Sequence, residues 1–143
     1  PQEVAAPKAP VAAGQLDGLS VLAIDNEPDI LNGMRHLLEN WHCDVITARD
    51  DLEAVQHLAE ENKTPDIVVI DYHLDEGTGI EAVVRLRWKF GADLPALLVT
   101  ADRSRAVRAE AAAKSIDMFN KPVKPAALRA HLARCRAGLK AAE

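Results

Sequence analysis

The sequence predicts an α/β domain built on a doubly wound, five-stranded parallel sheet in the order 2-1-3-4-5. Three features predict it. Five short apolar runs recur between residues 19 and 120. Each is followed by a stretch with helical apolar spacing. Several runs are unbroken rather than alternating, which suits strands covered on both faces. Strict strand–helix alternation places helices on both faces through right-handed crossovers.

The elements follow in order. LSVLAI (19–24) is the first strand and stops at Asp25. A helix runs from Pro28 to Asn40, with Ile30, Leu31, Met34, Leu37, Leu38 and Trp41 on one face. Pro28 suits its first turn. CDVITA (43–48) is the second strand. Asp50 with Glu53 has the form of a capping box opening a helix through Leu52, Val55 and Leu58. DIVVID (66–71) is the third strand, and HLDEGTG (73–79) is a turn-rich loop. Ile80, Val83, Val84, Arg87 and Trp88 space the next helix. PALLVTA (95–101) is the fourth strand, Ser104 to Ser115 an Ala-rich helix, and IDMFN (116–120) the fifth strand. Leu128, Leu132, Cys135 and Leu139 mark the last helix. Trp41 and Trp88 fall on apolar helix faces and are expected in the core. Residues 1–17, PQEVAAPKAPVAAGQLD, have the composition of an interdomain linker, with residues 18–143 as the folded domain.

Composition narrows the function classes. Of 143 residues, 48% are hydrophobic but only 3% aromatic, so Leu, Ile, Val and Ala must build the core. No apolar run approaches the ~18 residues of a membrane span, and no leader pattern opens the chain. A cytoplasmic domain without direct membrane contact is expected, within a parent that an anchor elsewhere holds or leaves free. The net charge of −5 promises no basic face for nucleic acid, so no nucleic-acid partner is expected. Cys43 and Cys135 lie far apart and read as reduced thiols, and no CxxC or HxxxH spacing suggests zinc. His36, His42, His57 and His131 read as surface residues, and the Arg103, Arg105, Arg108 cluster as a solvated helix face or a docking surface.

In such sheets ligands bind beyond the C-terminal strand ends, at the switch between the first and third strands. The polar residues there are Asp25, Asn26 and Glu27, then Asp71, Thr100 and Lys121–Pro122. Two carboxylates ~4.5 Å apart at an effective dielectric of ~20 repel by about 4 kcal/mol. A hard divalent cation relieves that repulsion, and Mg²⁺ takes few carboxylate oxygens and leaves room for a phosphate oxygen. A lysine supplies a point charge for a phosphoryl group and a threonine a hydroxyl donor. Together these are the parts that forming an aspartyl phosphate needs.

The segments VLAIDNE (21–27), IVVIDYHLDEGTG (67–79), LLVTAD (97–102) and KPVKP (121–125) stand in the order and spacing of receiver domains of bacterial two-component signalling, which the chain resembles over about residues 19–140. The resemblance implies a flavodoxin-like (receiver) fold and a phosphoacceptor role for Asp71. It implies that Asp25, Asp71 and the backbone carbonyl of His73 hold Mg²⁺, with Asn26 and Glu27 as further candidates. It implies that Thr100 and Lys121 contact the phosphoryl oxygens, and that Lys121–Pro122 is a cis peptide. His73 and Asp102 occupy positions expected to tune hydrolysis. The implied partner is a histidine kinase core in cis or a histidine-phosphotransfer protein in trans, docking near the first helix around Asn32, Arg35, His36 and Glu39. KPVKPAALRAHL and the Ala/Pro segment resemble the C-terminal receiver of a hybrid histidine kinase. Such a receiver promotes its own phosphorylation and dephosphorylation without being an ordinary enzyme; the kinase activity would belong to the parent.

Two positions depart from the family's pattern. Asn26 stands where a second acid is usual, so weaker Mg²⁺ binding is expected. Met118, with Phe119 beside it, stands where a switch aromatic is usual. Two other classes compete. An aspartyl-phosphate phosphatase would carry a second Asp two residues after the nucleophile, where this chain has His73. A degenerate receiver would act only as a phosphorylation-independent interaction module, against which Asp71, Thr100 and Lys121 argue.

Overall fold

The structure, a computed structural model, describes residues 14–142, with side chains to Leu139. The first thirteen positions of the expected linker lie outside the described residues. Its remainder belongs to a turn over 14–18, and Leu16 in that turn is buried in the core.

Among the described residues five strands alternate with five helices: β1 Ser20–Ile24, α1 Pro28–Asn40, β2 Asp44–Ala48, α2 Asp51–Glu60, β3 Ile67–Asp71, α3 Gly79–Phe90, β4 Ala96–Thr100, α4 Arg105–Ala113, β5 Asp117–Asn120 and α5 Pro125–Ala142. The strands form one parallel sheet in the order β2-β1-β3-β4-β5, the 2-1-3-4-5 order read from the sequence. The register is continuous: Leu22 pairs with both Ile46 and Val68, Ile70 with Leu98, and Leu98 with Met118.

Side chains alternate across this sheet and divide the core in two. Leu22, Ile24, Ile70 and Leu98 face one layer, packing with Leu58 of α2, Val83 and Leu86 of α3, and Val107 of α4. Val21, Val69, Leu97 and Val99 face the other, packing with Leu38 of α1 and Leu128 and Leu132 of α5. A fully buried Leu such as Leu38 or Leu132 contributes about 1.5–3 kcal/mol of burial, so these two side chains anchor α1 and α5 to the sheet.

Local chemistry sets the helix starts. The Glu53 N–H donates to Asp50 Oδ1 at 2.8 Å, capping α2. The Glu53 carboxylate reaches back to the Arg49 N–H at 2.9 Å rather than to Asp50, so the expected box is only half formed. The reciprocal box occurs instead at α3, between Thr78 and Glu81. The start of α1 has Pro28 in its first turn and Glu27 at the cap, with no capping side-chain bond. Arg85 forks onto the buried carboxylate of Asp51 at 2.8 and 2.9 Å, joining α3 to the start of α2.

Among the described residues, three large apolar side chains face water. Trp88 is 86% exposed, against the expectation of a core position, and Leu52 and Ile30 are 78% and 42% exposed. The cause on α3 is angular. Val83 and Leu86 take the buried stripe, and residue 88 lies some 200° from Leu86 around a helix of 3.6 residues per turn. Trp41 is half-buried against α5, with the Arg129 guanidinium 5.7 Å from its ring centroid. His36 and His42 are exposed as expected, whereas His57 and His131 are half-buried. His57 Nδ1 lies 3.0 Å from the Thr47 carbonyl oxygen, and His131 Nε2 lies 2.9 Å from an Asp117 carboxylate oxygen.

Gly79 opens α3 where the chain passes closest to β3. Its N–H donates to the Tyr72 carbonyl at 2.7 Å, and a β-carbon there would collide with the carbonyl oxygen of Asp71. Backbone cannot yield as a flexible side chain does. Gly79→Ala should therefore lower stability by about 1–3 kcal/mol. Gly33→Ala, in open space on α1, should raise it by about 0.5–1 kcal/mol. Urea midpoints of the two variants check the contrast.

Candidate functional site

The acid pair arises from strand register. Val21 pairs with Ile67 and Ile24 with Ile70, so the chains leave the sheet side by side at Asp25 and Asp71. Both residues continue the alternation of Val21 and Val69, which puts their side chains on the α1/α5 face. Both are buried, at 5% and 7% exposure. Two carboxylates at that depth need a partner.

Lys121 is that partner. β5 ends beside β4, and the Lys121 N–H donates to the Thr100 carbonyl at 2.8 Å. From there Lys121 Nζ reaches Asp71 Oδ1 at 2.8 Å and Asp25 Oδ2 at 3.8 Å. Burial alone would lower the lysine pKa. The hydrogen bond and charge of Asp71, with Asp25 and Glu27 behind it, outweigh burial and raise it, so the ammonium stays charged. Asp25 is raised above the ordinary Asp value, chiefly by burial and secondarily by the Asp71 charge. The Glu27 N–H, donating to Asp25 Oδ1 at 2.9 Å, and Lys121 both oppose that rise.

Thr100 closes β4 and is fully buried. Its Oγ1 accepts from the Asp102 N–H at 2.9 Å, which uses a lone pair and leaves the hydroxyl proton free to donate elsewhere. Asp102 Oδ1 accepts from the Ser104 N–H at 2.7 Å, and its carboxyl is held below the usual range by the Ser104 N–H and hydroxyl. The Lys121–Pro122 peptide is cis.

The remaining candidates lie at the rim. Glu27 is exposed and takes part through its backbone N–H. His73 is exposed; its backbone forms an isolated antiparallel bridge with Thr78, and its ring lies edge-on to Tyr72 at 4.9 Å. Asn26 Nδ2 donates to Asp75 Oδ1 at 3.0 Å, tying the loop after β1 to the loop after β3. In the sequence Asp75 is marked only by its turn-rich loop. Nothing in a single sequence pairs two loop residues 49 positions apart.

The aromatic question is settled by alternation along β5. Met118 packs in the layer shared with Leu98, and Thr100 continues that face of β4. Phe119 packs in the opposite layer, edge-on to His131 at 5.4 Å. Phe119 therefore cannot stand in for an aromatic on the Thr100 side.

Among the described residues no group of three or more His, Cys, Asp or Glu side chains is placed to hold a metal ion. The site offers two carboxylates, a donor set for a hard cation that keeps several of its own waters. Cys43 and Cys135 are free thiols, each pushed up to about 11 by burial. Among the described residues no helix is long and apolar enough to cross a membrane.

Comparisons with known proteins agree with this geometry. Residues 21–133 match the family model of the response regulator receiver domain. The chain is 36% identical over 81 residues to the alkaline phosphatase synthesis transcriptional regulatory protein PhoP of Bacillus subtilis, covering 57% of this chain and 32% of that protein. It is 34% identical over 120 residues to the transcriptional regulatory protein KdpE of Mycobacterium tuberculosis, covering 84% and 50%. The chain thus spans a third to a half of these regulators. Among solved structures, the Vibrio cholerae chemotaxis protein CheY4 superposes with a TM-score of 0.74 at 27% identity, covering 82% of this chain and 98% of that one. The extent of the family match, on a fold shared with CheY4, makes this chain a member of the response regulator receiver domain family of two-component signalling.

Proposed function

We propose that this domain accepts a phosphoryl group on Asp71 from a phosphohistidine donor, assisted by Mg²⁺, and signals through the resulting change in charge and conformation. The observation that carries the reading is the buried Asp71 carboxylate held at 2.8 Å by an ammonium that also faces Asp25. A carboxylate with no chemical task would seldom be buried beside a second one.

Each residue has a task. The Asp71 oxygen attacks phosphorus, and the bond from phosphorus to the donor breaks in line with it. Lys121 moves from neutralising Asp71 to neutralising a phosphoryl oxygen. Thr100 donates its free hydroxyl proton to another. Asp25, Asp71 and the His73 carbonyl would hold Mg²⁺, with Asn26 and Glu27 at the rim. Bound there, the ion would offset the acid pair's repulsion and the charge developing on the phosphoryl oxygens. The aspartyl phosphate carries about −1.5 to −2 of charge where the carboxylate carried −1, and the Thr100 and Lys121 loops respond to that gain. With Met118 on the Thr100 face, that response does not use an aromatic rotamer at this position.

The donor we infer is a histidine kinase core in cis or a histidine-phosphotransfer protein in trans, and the parent chain a hybrid histidine kinase. The exposed Asn32, His36 and Glu39 of α1, with Arg35, form the docking face.

Incubation with acetyl phosphate and Mg²⁺ should add a single phosphoryl group by intact-mass spectrometry. The adduct should be absent in Asp71→Asn and without the metal. Failure to form an adduct even with phosphohistidine donors would favour the phosphorylation-independent interaction module. Asn26→Asp should tighten Mg²⁺ binding about fivefold by calorimetric titration, the effect of one added charge worth on the order of 1 kcal/mol. An unchanged affinity would show that Asn26 is not what limits the metal.

A further inference from the structure

The far end of α3 carries a surface that the phosphoryl chemistry does not use. Trp88 is 86% exposed there, and a groove of about 550 Å³ lies beside it, between α3 and the end of α4. Val84 and Trp88, one turn apart on α3, supply its apolar lining together with Ala92, and Arg87 and Lys114 supply its charge. Arg87 also holds the groove in shape. Its guanidinium donates to the carbonyl oxygens of Leu94, Lys114 and Ser115, which ties α3 to the chain leaving α4. Gly79, at the start of α3, packs on the Asp71 backbone, and Trp88 lies nine residues further on, about 14 Å along the axis. The groove is therefore separate from the acid pair.

The charge here is opposite to that of the whole chain. The net charge is −5, yet Arg87, Lys89 and Lys114 surround Trp88, with Asp93 as the acid whose charge acts on Arg87. The carbonyl partners of Arg87 are neutral and leave its charge in place. Neither Lys89 nor Lys114 pairs with a carboxylate among the described residues. Lys89 lines a smaller hollow on the α2 side of the same helix end, beside Val55 and Phe90. One exposed apolar side chain needs no explanation. An indole with a groove beside it and unpaired ammonium groups on both flanks has the composition of an interface centre.

These observations select the occupant. A second copy meeting this face through a two-fold axis would set Lys89 and Lys114 against like charges. A nucleic acid would meet the repulsion of a chain with five excess negative charges. A polypeptide segment with an apolar side chain for the groove and Asp or Glu on either side of it satisfies both the ring and the cations. We propose that the C-terminal end of α3 is a docking surface for an acidic protein segment, with Trp88 as its anchor and Lys89 and Lys114 as its flanking charges. The groove shares no residue with the acid pair, so docking is open to the unphosphorylated domain.

The probe is a displayed library of random 12-residue peptides, selected on the whole chain. Wild type should enrich peptides of net negative charge with an apolar residue between Asp or Glu. A synthetic copy of the most enriched peptide should bind Trp88→Ser about thirtyfold more weakly, the usual cost of removing an anchor indole. Lys89→Glu combined with Lys114→Glu should weaken it about tenfold, and that loss should shrink as salt rises. All three positions are exposed, and urea midpoints matching wild type show that the variants fold. No enrichment, enrichment of basic or uncharged peptides, or binding that Trp88→Ser leaves unchanged overturns the proposal. A dimer in sedimentation that Trp88→Ser dissolves assigns the surface to a second copy and overturns it too. So does a single-stranded oligonucleotide that binds more tightly than the peptide. None of these readouts uses labelling of Asp71, so failure here leaves the phosphoacceptor reading untouched.

Discussion

One ammonium between two buried carboxylates organises this domain. Asp25 and Asp71 arrive at the sheet edge through parallel register alone, and without Lys121 they would face each other in a poorly hydrated crevice. The lysine reaches them because β5 pairs with β4 and its following N–H is fixed on the Thr100 carbonyl. Strand order, β4 hydrogen bonding and the acid pair are therefore one problem with one solution. The solution leaves the three groups with a net negative charge.

The surroundings keep this arrangement narrow. The backbone oxygen of Asp71 is packed so closely against Gly79 that no β-carbon fits. The capping box of Thr78 and Glu81 then fixes the helix that begins there. On the other side, Thr100 and Asp102 lock the loop after β4 through successive side-chain to N–H bonds. Asp71 is thus held by close backbone packing, while the groups at the rim, Glu27 and His73, remain exposed.

Most of the fold was legible because parallel strands covered on both faces are written as apolar runs, and each here ends in a polar residue or is followed at once by one. Asp25, Asp71, Thr100 and Lys121 were found by reading those ends. What stayed hidden depends on distance or angle. The bond from Asn26 to Asp75 links two loops through a turn no single sequence can place. Trp88 looked internal because it shares its helix's apolar spacing, yet it falls outside the stripe that Val83 and Leu86 define. Phe119 sits one residue from Met118, and the period of two along a strand sends it to the opposite layer.

The two indoles of this chain are optically unequal. Trp88 stands almost wholly in water on α3, while Trp41 lies half-covered near the end of α1 beneath the Arg129 guanidinium. An aqueous quencher reaches the first far more readily than the second. The emission that survives quenching comes mainly from Trp41, one step past the end of α1. The half-covered Trp41 thus reports on the seat of α1 against α5, and the exposed tryptophan on α3 supplies an internal reference.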